Sequence, residues 1–213
     1  MQTTELIDRL AADLRPIPQR AASQSLTVAV VVGSVVAVGA ALVSFGVPKD
    51  FASMLLTYPL WMKWAYAFAV SAAAFGLCAR LARPEGAPGV LPLILGAPFL
   101  ALGAIALVEV AGVPADARHG LWLGRTALTC PWIIAAFAIP IFAAALWALR
   151  RMAPTRQRLV GFSAGCLAGA AAAGLYAIHC NETAAAFVVS WYTAGILLPA
   201  LVGMLIGPRV LHW

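Results

Sequence analysis

The chain has 213 residues, of which 63% are hydrophobic and only 10% are Asp, Glu, Lys or Arg. A soluble globular domain carries roughly 25% charged and about 45–50% apolar residues. This composition excludes a water-soluble fold, a disordered chain and a disulfide-rich miniprotein, and it indicates a polytopic membrane protein. The net charge of +6 has to be judged by where the basic residues fall.

Six apolar segments are long enough to cross a bilayer core, which takes roughly 20 helical residues. They are 26–48, 60–79, 86–108, 126–149, 159–178 and 183–208. We therefore predict an all-α bundle of six transmembrane helices over residues 26–213, preceded by a cytoplasmic segment, residues 1–25. The first apolar run is too long for the h-region of a signal peptide, and a polar lead precedes it.

The basic residues predict the orientation of the bundle in the bilayer. Ten lie on the side that carries both termini, and four, Lys49, Lys63, Arg118 and Arg125, lie on the other side. This asymmetry places both termini in the cytoplasm. It also explains the positive charge without direct binding to nucleic acid.

Small residues within the spans predict how the bundle packs. Gly161, Gly165, Gly169 and Ala173 follow one another at intervals of four, so they share nearly one face of the fifth span. In lipid, small residues allow helices to approach closely. We expect this face to pack inside the bundle, with a homodimer seam as the alternative.

Charged and aromatic residues near the outer ends of the spans are expected to have structural roles. Glu109 is expected to form an ion pair with Lys63 or Arg125. Seven aromatic side chains near the outer ends are typical of a belt at the membrane–water interface. They are Tyr58, Trp61, Trp64, Trp122, Trp132, Trp191 and Tyr192.

The N-terminal segment, MQTTELIDRLAADLRPIPQR, predicts a short amphipathic helix. An apolar stripe at helical spacing is formed by Leu6, Ile7, Leu10 and Leu14. A helix of about ten residues is marginal alone in water, so the stripe needs a membrane surface or a groove on a cytoplasmic protein. The acidic polar face favours the protein partner, because membrane-surface helices are typically rich in Lys and Arg.

The four cysteines divide into two groups. Cys78 and Cys166 are interpreted as small buried hydrophobic residues. Cys130 and Cys180 lie near the outer ends of their spans, where an oxidising compartment permits a disulfide. Cys130 is expected about one turn deeper, and a disulfide needs Cα atoms within about 7 Å.

Two alternatives to a disulfide remain open. Cys130 and Cys180 could bind zinc or a similar metal with His179 and with Glu182 or Glu109, or they could be unrelated buried residues. The sequence contains no CxxC, GxSxG, HExxH or phosphate-binding loop, so it provides little support for an enzyme.

Several segments resemble the NrsF-like family of six-span inner-membrane proteins of proteobacteria. The segments are DLRP (13–16), RLARP (80–84), LGR (123–125), LWALRR (146–151), APTR (153–156), YAIHCNE (176–182) and RVLHW (209–213). The resemblance covers essentially the whole chain. It implies an anti-sigma factor that holds an extracytoplasmic-function sigma factor at the membrane and releases it under oxidative or heavy-metal stress.

The resemblance also implies site residues. Two periplasmic-side cysteines are implicated in the family's response, and by position they are Cys130 and Cys180. His179 and Glu182 are further candidates because of their place beside Cys180 in the sequence. The expected sigma-binding residues are Leu6, Ile7, Leu10, Asp13, Leu14 and Arg15. The partners expected are the sigma factor and the lipid bilayer, and no cofactor is expected.

Two other functions compete with this interpretation. One is a membrane thiol–disulfide oxidoreductase that uses a quinone. The other is a small-solute transporter, which is disfavoured because transporters normally carry ionisable groups at mid-depth and these spans have none at their centres.

Overall fold

The computed structural model describes residues 3, 12, 21–83 and 86–212, and every regular element in them is helical. The helices are α1 Ala21–Phe45, α2 Phe51–Met54, α3 Tyr58–Leu81, α4 Leu91–Ala111, α5 Ala115–Leu123, α6 Cys130–Arg150, α7 Gln157–Tyr176, α8 Ala185–Phe187 and α9 Thr193–Val210, with a π-helical stretch Val188–Tyr192 between α8 and α9. The predicted N-terminal helix with Leu6, Ile7, Leu10, Asp13, Leu14 and Arg15 lies outside the described residues.

The all-helical prediction with six apolar spans is confirmed. Within the described part of the chain, six helical segments are long and apolar enough to cross a membrane. Two boundaries differ from the prediction because of glycines. The first span ends at Phe45, since Gly46 follows with a φ of 71°. The third begins at Leu91 rather than at residue 86, after Gly89 with a φ of 54°.

Helix α7 is the centre of the bundle, and its glycine face packs against α9 of the same chain. Most of α7 is buried, and it contacts α3, α6 and α9. A Cβ atom on Gly161 would overlap the carbonyl of Gly203, and one on Gly165 would overlap the carbonyl of Pro199. The glycine face is therefore a helix–helix contact inside the bundle, as expected, and allows the two backbones to touch.

We expect Gly165→Val to destabilise the fold strongly, because a side chain at this position collides with backbone atoms that cannot rotate away. Overpacking typically costs about 1–3 kcal/mol, and this value is a lower estimate where the obstacle is backbone. Thermal unfolding of the purified protein in detergent measures the effect. Gly103→Val is the matched control, since a Cβ on Gly103 meets nothing within 4 Å. Equal stability of the two variants would contradict this packing.

The two ends of the bundle differ in chemistry. The thiol end, defined by Cys130 and Cys180, includes the C-terminal end of α1, where the carbonyl of Gly46 contacts His179. The arginine end, defined by Arg80, Arg150 and Arg209, is closed by a hydrogen bond from Gln157 Nε2 to the carbonyl of Leu211 at 3.2 Å.

Candidate functional site

Cys130 and Cys180 form a buried pair at the thiol end. Their side chains lie beside each other, both are free thiols, and they are 0% and 2% exposed. The expectation that Cys130 lies one turn deeper is wrong. Helix α6 begins at Cys130 rather than at residue 126, because 124–129 form turns, so Cys130 lies at the same level as Cys180.

Cys180 lies in the loop between α7 and α8, outside the membrane-spanning helices. The thiol of Cys130 lies beside its sulfur, and this neighbour does most to lower the pKa of Cys180 below its usual value. Lys63, Tyr192 and the backbone N–H of Glu182 lower this pKa further, while burial opposes them. Cys180 is therefore the sulfur of the pair that ionises first, and a thiolate is the reactive form of cysteine.

Lys63 brings a positive charge into the site. Its side chain is 2% exposed, and its ammonium group donates a 2.6 Å hydrogen bond to the backbone carbonyl of Cys180. The Nζ atom also lies 6.0 Å from the centroid of the Tyr192 ring. Helix α3 thus places its basic side chain beside the more acidic of the two thiols.

Tyr192 closes the site from the π-helical stretch. It is fully buried, and its hydroxyl has no partner of regular hydrogen-bond geometry, although it lies close enough to Cys180 to stabilise the thiolate. Its assignment to an interfacial aromatic belt is therefore wrong. The outward-facing Tyr58, Trp61 and Trp132 are exposed, as belt residues would be.

Glu182 joins the loop that carries Cys180 to the turns that precede Cys130. Its Oε1 accepts hydrogen bonds from the backbone N–H groups of Arg125 and Thr126, at 2.7 and 3.1 Å, and from the Thr126 hydroxyl at 3.2 Å. A second connection is the 2.7 Å bond from the indole N–H of Trp191 to the carbonyl of Trp122. These bonds fix the two cysteine-bearing segments relative to each other.

We expect Glu182→Ala to lower the stability of the protein by about 1–3 kcal/mol, because it leaves backbone N–H groups without an acceptor. Thermal unfolding in detergent measures the loss. Glu182→Gln keeps an acceptor oxygen and is expected to lose less. Asp50→Ala removes an exposed carboxylate that makes no capping bond and is the neutral control. A Glu182→Ala protein as stable as Asp50→Ala would contradict this role.

His179 faces α1. Its Nε2 donates a 3.0 Å hydrogen bond to the carbonyl of Gly46, and its ring packs on that of Phe45 at a centroid distance of 5.3 Å. Its Nδ1 is buried and makes no hydrogen bond to any residue that the structure describes. Across the described residues, no three His, Cys, Asp or Glu side chains gather as metal ligands, so the geometry favours thiol chemistry over a zinc site of three or more ligands.

The expected ion pair of Glu109 with Lys63 or Arg125 is replaced by bonds to the backbone. Glu109 Oε2 accepts a 3.1 Å hydrogen bond from the N–H of Ala186, at the start of α8. A carboxylate at a helix N-terminus is stabilised by the helix dipole. Lys63 instead donates to Cys180, and the backbone N–H of Arg125 donates to Glu182.

Cys78 and Cys166 lie apart from the candidate site, and both are buried. The Cys78 thiol donates to the hydroxyl of Ser163 at 3.1 Å, and that hydroxyl donates to the carbonyl of Val160. These contacts fit the expected packing role of both residues.

Sequence reasoning missed the participation of Lys63 and Tyr192. A signal for Lys63 was present, because it is the one charge in its predicted span. The signal for Tyr192 was absent, because the π-helical stretch shifts the face on which it lies and no sequence pattern marks such a stretch. Stretches of this kind are often found at functional sites.

Comparison with known proteins identifies a family whose model matches nearly the full chain. Residues 10–213 match the family model NrsF, "Negative regulator of sigma F". The chain is 37% identical over 213 residues to the "Probable anti-sigma-F factor NrsF" of Azospira oryzae, and 34% identical over 215 residues to the "Anti-sigma-F factor NrsF" of Caulobacter vibrioides, with 100% of each protein covered. No solved structure matches. The chain therefore belongs to the NrsF family.

Proposed function

We propose that this chain is a membrane-embedded anti-sigma factor with a regulatory rather than a catalytic role. Its similarity to two anti-sigma-F factors over the full length of all three chains is the observation that carries the proposal. Its partner is a sigma factor of the extracytoplasmic-function type, which it holds inactive at the bacterial inner membrane.

The sigma-binding element in this proposal is the N-terminal segment, residues 1–25. Its apolar stripe of Leu6, Ile7, Leu10 and Leu14 docks in a groove of the sigma factor, with Asp13 and Arg15 at the edge of the contact. The arginine end of the bundle faces the same compartment, since both termini are placed in the cytoplasm by the distribution of basic residues.

The sensing element is the pair Cys130 and Cys180 on the periplasmic side. The adjacency of the two thiols supports this role, because oxidation to a disulfide requires no large movement of either segment. Oxidative or heavy-metal stress would change the chemistry of the pair, and the altered packing at the thiol end would weaken the hold on the sigma factor. Glu182 contributes by fixing the two segments, and His179 by joining the loop to α1.

The burial of the cysteine pair favours a sensing role over the oxidoreductase alternative. Thiol exchange with a protein partner needs an accessible sulfur atom, whereas Cys130 and Cys180 are almost completely buried. A small oxidant reaches such a site more readily than a protein thiol does.

A transcriptional reporter for the sigma factor tests the proposal. Deletion of the gene for this chain is expected to switch on the reporter, and expression of the wild-type chain in the same cells to silence it. Oxidoreductase function predicts redox turnover of a soluble thiol substrate instead. A reporter that stays silent after the deletion would overturn the anti-sigma assignment.

A further inference from the structure

Lys63 is a buried basic side chain, and sensing by the two thiols does not by itself require one. It is 2% exposed. Ionisable side chains within membrane-spanning helices are costly and mark functional sites by default. The carboxylate within electrostatic range, that of Glu182, is already bonded to Arg125 and Thr126. Glu182 keeps its charge in these bonds, and the two thiols act on Lys63 more strongly than it does.

The Cys180 sulfur is the stronger of these two partners of Lys63. Lys63 is held beside it by a 2.6 Å hydrogen bond to the carbonyl of the same residue. The Cys130 thiol lies beside that sulfur, and so does the buried Tyr192 hydroxyl, which has no hydrogen-bond partner among the described residues. Three groups able to stabilise a negative charge thus converge on one sulfur atom.

We infer that Lys63 is a positioning residue that keeps Cys180 as a thiolate, so that Cys180 attacks the oxidant and Cys130 is the resolving cysteine. The inference rests on the proposed function, since it takes the thiol pair as the sensing site. It adds the order of the two sulfurs and the residue that sets that order.

The chemistry balances with a peroxide as the oxidant. The Cys180 thiolate attacks one peroxide oxygen, the O–O bond breaks, and sulfenic acid forms at Cys180 while hydroxide leaves. The Cys130 sulfur then attacks the Cys180 sulfur, and the S–S bond forms as the hydroxyl group leaves with the Cys130 proton as water. The two cysteines lose two electrons, and the peroxide gains them.

Oxidation also changes the charge of the site. The reduced pair carries one negative charge opposite Lys63, and the disulfide carries none. A buried ammonium group without its counter-charge is strongly disfavoured.

The ionisable side chains that act on the Cys180 sulfur come from several elements. They are Lys63 of α3, Cys130 of α6, Tyr176 of α7 and Tyr192 of the π-helical stretch, and the backbone N–H of Glu182 in the same loop also acts on this sulfur. Replacement of Lys63 alone leaves the other four in place, so a change in thiolate titration reports the lysine charge.

Titration of the purified full-length protein in detergent tests the inference. The thiolate ultraviolet band is measured against pH, with Cys180→Ser as the blank, and disulfide formation with hydrogen peroxide is followed by non-reducing mass spectrometry. We expect Lys63→Met to raise the titration midpoint by about 1 unit or more and to slow oxidation at neutral pH by about tenfold. Lys63→Arg is expected to restore most of both. Lys49→Met removes the other lysine of the chain, which is exposed, and is expected to leave the midpoint and the oxidation rate unchanged.

A Lys63→Met protein with an unchanged midpoint and oxidation rate, but a lower unfolding temperature, would overturn the inference and leave Lys63 a purely structural residue. Trapping of sulfenic acid gives a second test that does not alter Lys63. The trap is expected on Cys180 in Cys130→Ser, and a trap on Cys130 in Cys180→Ser would overturn the order of the sulfurs. Neither test involves the sigma factor, so they can fail while the proposed function stands.

Discussion

Peroxide treatment of the chain bound to its sigma factor is expected to convert Cys130 and Cys180 to a disulfide and to release the sigma factor. The two thiols lie beside each other in the reduced protein, so the bond forms without unfolding, and the new covalent link changes the packing of the two segments that carry them. Coupling between sites typically changes affinity about 5- to 150-fold. Retention of sigma factor on the immobilised chain, with and without peroxide, measures the change.

Serine substitutions identify which thiols cause the release. Cys130→Ser and Cys180→Ser are both expected to keep the sigma factor bound under peroxide, because neither variant can form the disulfide. Cys166→Ser is the matched control, since Cys166 is equally buried but lies away from the pair, and it is expected to release sigma factor like the wild type. Release from Cys180→Ser at the wild-type peroxide dose would contradict sensing by this pair.

Leu10→Asp is expected to abolish sigma binding and to switch on the sigma-dependent reporter in unstressed cells. Leu10 lies in the predicted apolar stripe, and a carboxylate there must be desolvated in the groove of the partner, which is strongly unfavourable. We expect affinity to fall by at least about 30-fold, corresponding to about 2 kcal/mol for the loss of a buried interface anchor. Reporter activity and membrane content of the chain are measured in the same cells.

Ala12→Asp is the matched control for this substitution. It introduces the same charge two residues away, on the side of the predicted helix opposite Leu10, and residue 12 is exposed. The reporter is expected to stay silent in this variant. Equal activation by both variants would show that charge in the segment, rather than loss of the apolar stripe, causes release.

The helices could be predicted because they depend on local properties of the chain. An uncharged run of about 20 residues has few alternatives to a membrane-spanning helix, and the glycines of α7 mark a close contact through their spacing alone. The ends of the helices were less predictable, since Gly46 and Gly89 end the apolar runs through backbone conformation rather than polarity.

The candidate site was predictable in its two sulfurs and not in its surroundings. Cys130 and Cys180 were selected by their positions near the same ends of their spans and by family resemblance. Their contact depends on turns at 124–129, which place Cys130 at the first residue of α6. Lys63 and Tyr192 are each more than 60 residues from Cys130 in the sequence, and Tyr192 lies in an irregular helical stretch. Contacts over such separations leave no local sequence pattern.

Co-purification of a sigma-F-type factor from the same organism tests the central claim most directly. The sigma factor is co-expressed with the full-length chain or with a chain that lacks residues 1–22, and each membrane protein is purified in detergent under reducing conditions. We expect the sigma factor to be recovered with the full-length chain and lost with the truncated one. Equal recovery with both would contradict binding by the N-terminal segment, and absence of the sigma factor from the folded full-length chain would contradict the anti-sigma function itself.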